Sequence, residues 1–163
     1  NGGFQQTGIL AADPGRYQAA LVNWFDRDND GRLDALVVAE PDPAYKPWWP
    51  LGKKETRKGV WEVRMHRNVG PANHWLQIEL AGDRGNRQGV GASVTVVTPD
   101  GMRMEHVGSS EGAFFSQGHY RLYFGLGAHD AADEIRIRWS DGREQTLRSV
   151  QADRLLRIER DST

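Results

Sequence analysis

Glu134-Ile135-Arg136-Ile137-Arg138-Trp139-Ser140-Asp141-Gly142 sets apolar and charged side chains on alternate residues, then closes on Asp-Gly. A period of two belongs to a strand with one face on a core, and Asp-Gly favours a hairpin turn because both residues tolerate positive φ. The same rhythm recurs upstream, in Leu76, Ile78 and Leu80, in Val94 and Val96, and in Tyr120, Leu122 and Phe124. Pro99-Asp100-Gly101 is a second Asp-Gly turn; Asn86-Arg87-Gln88-Gly89 and Gly125-Leu126-Gly127 are looser ones. Leu155 to Ile158 reads as a closing strand, with a helical turn over Ser149 to Leu156 as the alternative. Roughly seven or eight short strands at this spacing from Asn73 onward predict an antiparallel β-sandwich.

The pattern is different before Gly70-Pro71. Ala19 to Trp24 and Leu33 to Ala39 read as two buried strands flanking an acidic loop, and Val60 to His66 as a third. The stretch from Pro41 to Lys58 reads as an irregular loop. Three strands bury too little apolar surface to stand alone, so this unit is expected to lean on the rest of the chain. The expected organisation is therefore all-β, with a β repeat over 1–70 packed on a C-terminal sandwich over 71–163.

Composition narrows the function classes. The 163 residues carry 21 basic against 22 acidic side chains, which leaves no electrostatic footprint for nucleic acid. No window approaches the run of about 20 apolar residues that a membrane span requires. The absence of cysteine excludes a disulfide framework, a thiolate nucleophile and a cysteine-based zinc site. The 19 glycines suit many short strands joined by tight turns. The chain starts at Asn1 rather than Met and shows no basic-then-apolar leader, so it reads as a mature or excised segment.

The strongest chemical motif is Asp26-Arg27-Asp28-Asn29-Asp30-Gly31-Arg32-Leu33-Asp34. Carboxylates fall at positions one, three, five and nine of a tight loop, where alternate residues aim at a common centre. Gly31 relieves the backbone at the sharp turn, and the Arg32 carbonyl can supply a further oxygen. Hard oxygen ligands of this number suit Ca²⁺, whereas Mg²⁺ resists all-protein cages. The loop is not an EF-hand, because its twelfth position is Val37 where a bidentate Glu is needed, and the flanks read as strands. Asp34 is expected to provide the closing carboxylate. The bland alternative is an acidic surface turn without metal.

These residues resemble a known pairing. Phe25 through Val38, with its Asp-rich loop, is similar to an FG-GAP or VCBS repeat, the calcium-loop blade of integrin-type β-propellers. Downstream, Asn73-His74-Trp75-Leu76, Gly82, Asn86-Arg87, Gly89-Val90-Gly91-Ala92, Ser116-Gln117, Phe124-Gly125-Leu126-Gly127 and Trp139-Ser140-Asp141-Gly142 resemble the ASPIC/UnbV domain. The resemblance implies a parent protein with several propeller repeats, of which 1–70 is the last. The Asp-rich loop does not recur later in the chain, and a single blade cannot close a propeller. With the availability of calcium outside the cytoplasm, the resemblance also implies an extracellular or periplasmic location.

No catalytic constellation stands out in the sequence. His66, His74, His106, His119 and His129 show no ligand-like spacing, and no serine sits in a nucleophile elbow. Trp24, Trp75 and Trp139 lie in strand patterns. Trp48 and Trp49 sit in a proline-bounded loop, where their rings either stack on a ligand or cap the edge of the repeat. The leading expectation is a calcium-binding adhesion or recognition module with a protein or carbohydrate ligand. The alternative is part of a biosynthetic or carbohydrate-active enzyme, with its site between propeller and C-terminal domain; a third reading is a structural cap on a propeller.

Overall fold

A computed structural model describes residues 17–41, 62–71, 73–109 and 119–161. Among the described residues there are ten strands in three sheets, and the fold is all-β. Strands β1 (Tyr17–Phe25), β2 (Asp34–Pro41) and β3 (Glu62–His66) form an antiparallel sheet in that order. Phe25 pairs with Asp34, so the acidic stretch is the loop that closes the β1–β2 hairpin.

The remaining strands are β4 (His74–Ala81), β5 (Ser93–Thr98), β6 (Gly101–His106), β7 (Leu122–Gly127), β8 (Ala131–Arg138), β9 (Glu144–Gln151) and β10 (Arg154–Glu159). They make two sheets, ordered β10-β4-β7 and β6-β5-β8-β9. The apolar positions predicted from alternation after Asn73 are buried, except Tyr120, which is half-buried against the core. Leu76 and Ile78 of β4, Leu122 and Phe124 of β7, and Ile158 of β10 join Val94 and Val96 of β5 and Ile135 and Ile137 of β8 in one core. The two sheets are held mainly by this shared apolar burial, worth about 25 cal/mol per Å² removed from water. Trp139 closes the end of the core, 5% exposed, and its indole Nε1–H donates to Gln145 Oε1 at 3.3 Å.

One expectation needs correction. The C-terminal pairing is not wholly antiparallel: β10 lies parallel to β4, with Leu156 opposite Ile78. The tie is local. Asp153 N–H donates to the Trp75 carbonyl at 2.7 Å, and the Asp153 carboxylate receives the Trp75 N–H at 3.2 Å and lies 2.7 Å from His74 Nδ1. These contacts deliver β10 alongside the start of β4. The closing strand expected over Leu155 to Ile158 is β10, and the alternative of a helical turn over Ser149 to Leu156 does not form, because Ser149 (φ 53°) and Asp153 (φ 59°) adopt left-handed backbone that a right-handed helix excludes. Two strands, β6 and β9, escape the sequence pattern because they bury little; Met102 and Met104 of β6 are 72% and 58% exposed. Trp48, Trp49 and the Ser116-Gln117 motif lie outside the described residues.

Candidate metal centre

The loop between β1 and β2 is organised around its first carboxylate. Asp26 is 5% exposed; its Oδ1 accepts the Asp30 N–H at 3.1 Å and its Oδ2 the Gly31 N–H at 2.7 Å. Oδ2 also accepts from the Gln77 Nε2 amide at 2.5 Å. Asn29 (φ 56°) and Gly31 (φ 84°) carry the left-handed turns that wind the loop back on itself. Gly31 has a second constraint: a Cβ there would overlap the indole of Trp75. Strand β4 is thus the seat of the loop, through Trp75 and Gln77.

Asp26, Asp28 and Asp30 bring one carboxylate oxygen each to within 4.8 Å of one another. Oxygens on one Ca²⁺ lie no further apart than about twice its 2.3–2.6 Å bond length, so the donor chemistry and spread of the three fit such an ion. Asp34 is placed differently. Its Oδ2 accepts the Arg27 N–H at 3.3 Å and its Oδ1 the Asn68 N–H at 2.8 Å, which ties both ends of the loop to the segment after β3. Asp34 is 2% exposed, a buried clasp beside the group of three.

Cations surround the cluster. The Arg32 guanidinium pairs with Asp30 and donates to the Gly70 carbonyl at 3.1 Å, while Arg67 lies 2.9 Å from Asp28. The Asp30 carboxyl is held below its ordinary value by its hydrogen bond from Arg32, against a smaller upward push from burial. These two arginines neutralise the same carboxylates that an ion would take, so an ion there would have to displace them. Bound there, Ca²⁺ would be held by Asp26, Asp28 and Asp30 and would supply charge neutralisation and cross-linking of the loop.

The loop touches a second polar network across β4. Gln77 alternates away from the core, yet it is 1% exposed because the loop covers it. Its Oε1 accepts from Arg121 at 2.9 Å, and Arg121 also donates to Glu79 Oε1 at 2.9 Å and to Asn29 Oδ1 at 3.0 Å. Beside it His119 Nε2 lies 2.7 Å from the Tyr123 hydroxyl, with the two rings edge to face. Phe25, Asp26, Glu79, His119, Arg121 and Tyr123 line a cleft of about 600 Å³. No sequence signal announces Gln77 or Arg121, since their partners lie dozens of residues away.

Burial, with the nearby Arg121 charge, lowers the His119 pKa below its ordinary value of 6.5. The folded chain therefore binds this proton less readily than the unfolded chain. The His119 contribution to stability is complete above pH 6.5 and is lost as pH falls toward the depressed value. Unfolding titrations carried downward from pH 6.5 should show that loss, and His119→Gln should flatten it.

Downstream, the loop from Gly82 to Ala92 folds on itself. A Cβ at Gly82 would strike the Asn86 carbonyl, and the Asn86 side chain both donates to the Val90 carbonyl (2.8 Å) and accepts the Val90 N–H (2.9 Å). The profile of the family described as ASPIC and UnbV matches residues 82–163, beginning at this loop and running through β5 to β10. Strand β4, which supplies the middle of one sheet, lies just outside the match. No curated protein matches the chain. The match spans half of the sequence, and on that basis the chain belongs to the ASPIC and UnbV family.

Proposed function

We propose that this chain is a calcium-binding, non-catalytic recognition module of an exported protein: an FG-GAP/VCBS-like propeller repeat over 1–70 seated on a β-sandwich over 71–163. The observation that carries the reading is the convergence of Asp26, Asp28 and Asp30 on a loop anchored to β4 by the buried Asp26–Gln77 contact. A loop fixed at one carboxylate and held at the others by exchangeable arginines is suited to rigidification by a cation. Calcium then orders the junction between repeat and sandwich, and the adjoining surface does the recognising.

The repeat's own sheet supports its place as the last blade of a longer array. Cross-strand pairing puts Leu21, Leu36, Val38, Val63 and Met65 on one face, and Val63 and Met65 are 66% and 43% exposed. An apolar face of this kind fits a preceding repeat stacked on it. The structural-cap reading draws on the same face.

Trp75 provides the direct test, because its indole lies against Gly31 of the loop. Titration with Ca²⁺ should change tryptophan emission saturably, Mg²⁺ at the same concentration should not, and Trp75→Phe should remove the change. A flat Ca²⁺ titration of folded protein would oppose the calcium reading.

A further inference from the structure

The opposite end of β4 and β10 carries a concentration of arginine that lies outside the metal loop. A cleft of about 660 Å³ is lined by Arg84, Arg87, Arg143, Arg157 and Arg160. The cleft beside His119 shares Arg87 and Arg157 and adds Arg121, so six guanidiniums follow one continuous wall. This occurs in a chain whose net charge is −1.

The six are not equivalent. Arg160 is fixed, paired with Asp83 at 2.6 Å and with Asp141, its guanidinium 5.9 Å from the Trp139 ring centre. Arg121 is fixed by Glu79, Gln77 and Asn29. Arg84, Arg87 and Arg157 are exposed, and their guanidiniums make no ion pair or hydrogen bond among the described residues. Clustered like charges repel one another unless a ligand supplies the counter-charge. The planar guanidinium fork matches carboxylate and sulfate oxygens.

The rest of the lining selects among anions. Asp83, Glu159 and Asp161 stand between the arginines of the first cleft. Their carboxylates accept hydrogen bonds from hydroxyl groups, which a sugar polymer carries beside its acidic groups and a lone inorganic anion lacks. Tyr120 and Tyr123 add aromatic rings in the second cleft, surfaces suited to stacking on a sugar. A shared wall between two clefts suits a chain longer than one small ion. We infer that Arg84, Arg87 and Arg157 form a binding site for an acidic polysaccharide, a sugar polymer bearing carboxylate or sulfate groups among free hydroxyls. The site rests on arginines that contact none of the proposed metal ligands, although the second cleft also borders Asp26, and it stands if calcium binding fails.

The test measures binding of the full chain to polygalacturonate, dextran sulfate, neutral dextran, single-stranded DNA and inorganic sulfate. The expected result is salt-sensitive binding to at least one acidic polysaccharide and none to neutral dextran, and the polymer that binds identifies the anionic group. The triple variant R84Q/R87Q/R157Q should weaken it by on the order of tenfold or more. All three side chains are exposed, so the variant should keep the parent melting temperature; the single variants R84Q and R157Q serve if it does not, each predicted to weaken binding. Failure to bind either acidic polymer, undiminished binding by the arginine variants, DNA bound as tightly as the polysaccharide, or inorganic sulfate matching the polymer's affinity would each overturn the inference.

Discussion

Gly31→Ala is expected to lower the unfolding free energy by about 2–5 kcal/mol, from left-handed backbone strain and steric overpacking together. Gly31 holds φ at 84°, where any Cβ is strained, and that Cβ would project into the Trp75 indole. The loop cannot yield without loosening the Asp26 contacts, and Trp75 cannot yield without moving β4, the middle strand of its sheet. Equilibrium denaturation in urea measures the loss. A double variant with Trp75→Ala should lose less than the sum of the two single changes, because removing the indole relieves the overlap but not the backbone strain. Additive losses would show that the loop does not rest on Trp75.

Asp26→Ala should cost about 2–4 kcal/mol even with chelator present, since it strands buried donors that the carboxylate satisfies. The Gln77 amide, already covered by the loop, and the N–H groups of Asp30 and Gly31 all lose their acceptor. Asp28 is the contrast. Its side chain is 29% exposed and its partners are the surface arginines Arg27 and Arg67, a class of ion pair worth about 0–1 kcal/mol. Asp28→Ala should therefore barely change stability without calcium, while removing one of the three converging carboxylates. The two variants separate what the loop does for the fold from what it does for an ion.

Legibility in the sequence followed burial. Strands β4, β5, β7 and β8 alternate cleanly because each has one face on the shared core, so Leu76, Val94, Phe124 and Ile137 were marked by period alone. Strands β6 and β9 lack that contrast, and the parallel course of β10 leaves no mark, since alternation says nothing about the direction of a neighbour. The Asp-rich loop was visible as a motif, and three of its carboxylates do converge. Asp34 has the same spacing whether it closes a site or clasps backbone N–H groups, so only the fold reveals its contacts with Arg27 and Asn68. Gln77, Arg121 and the arginine wall arise from pairings between distant segments. Arg87 and Arg157 meet only once β4 and β10 are side by side.

The measurement that bears most directly on the calcium reading is a thermal melt in Ca²⁺, in Mg²⁺ and in excess chelator, for the parent chain and for Asp28→Ala. A ligand that binds only the folded state raises stability by RT ln(1 + [L]/Kd), about 2.7 kcal/mol at one hundred times Kd. The account predicts a rise in melting temperature specific to Ca²⁺ in the parent and absent in Asp28→Ala. Identical melts in Ca²⁺ and chelator, or a rise that survives in Asp28→Ala, would contradict it.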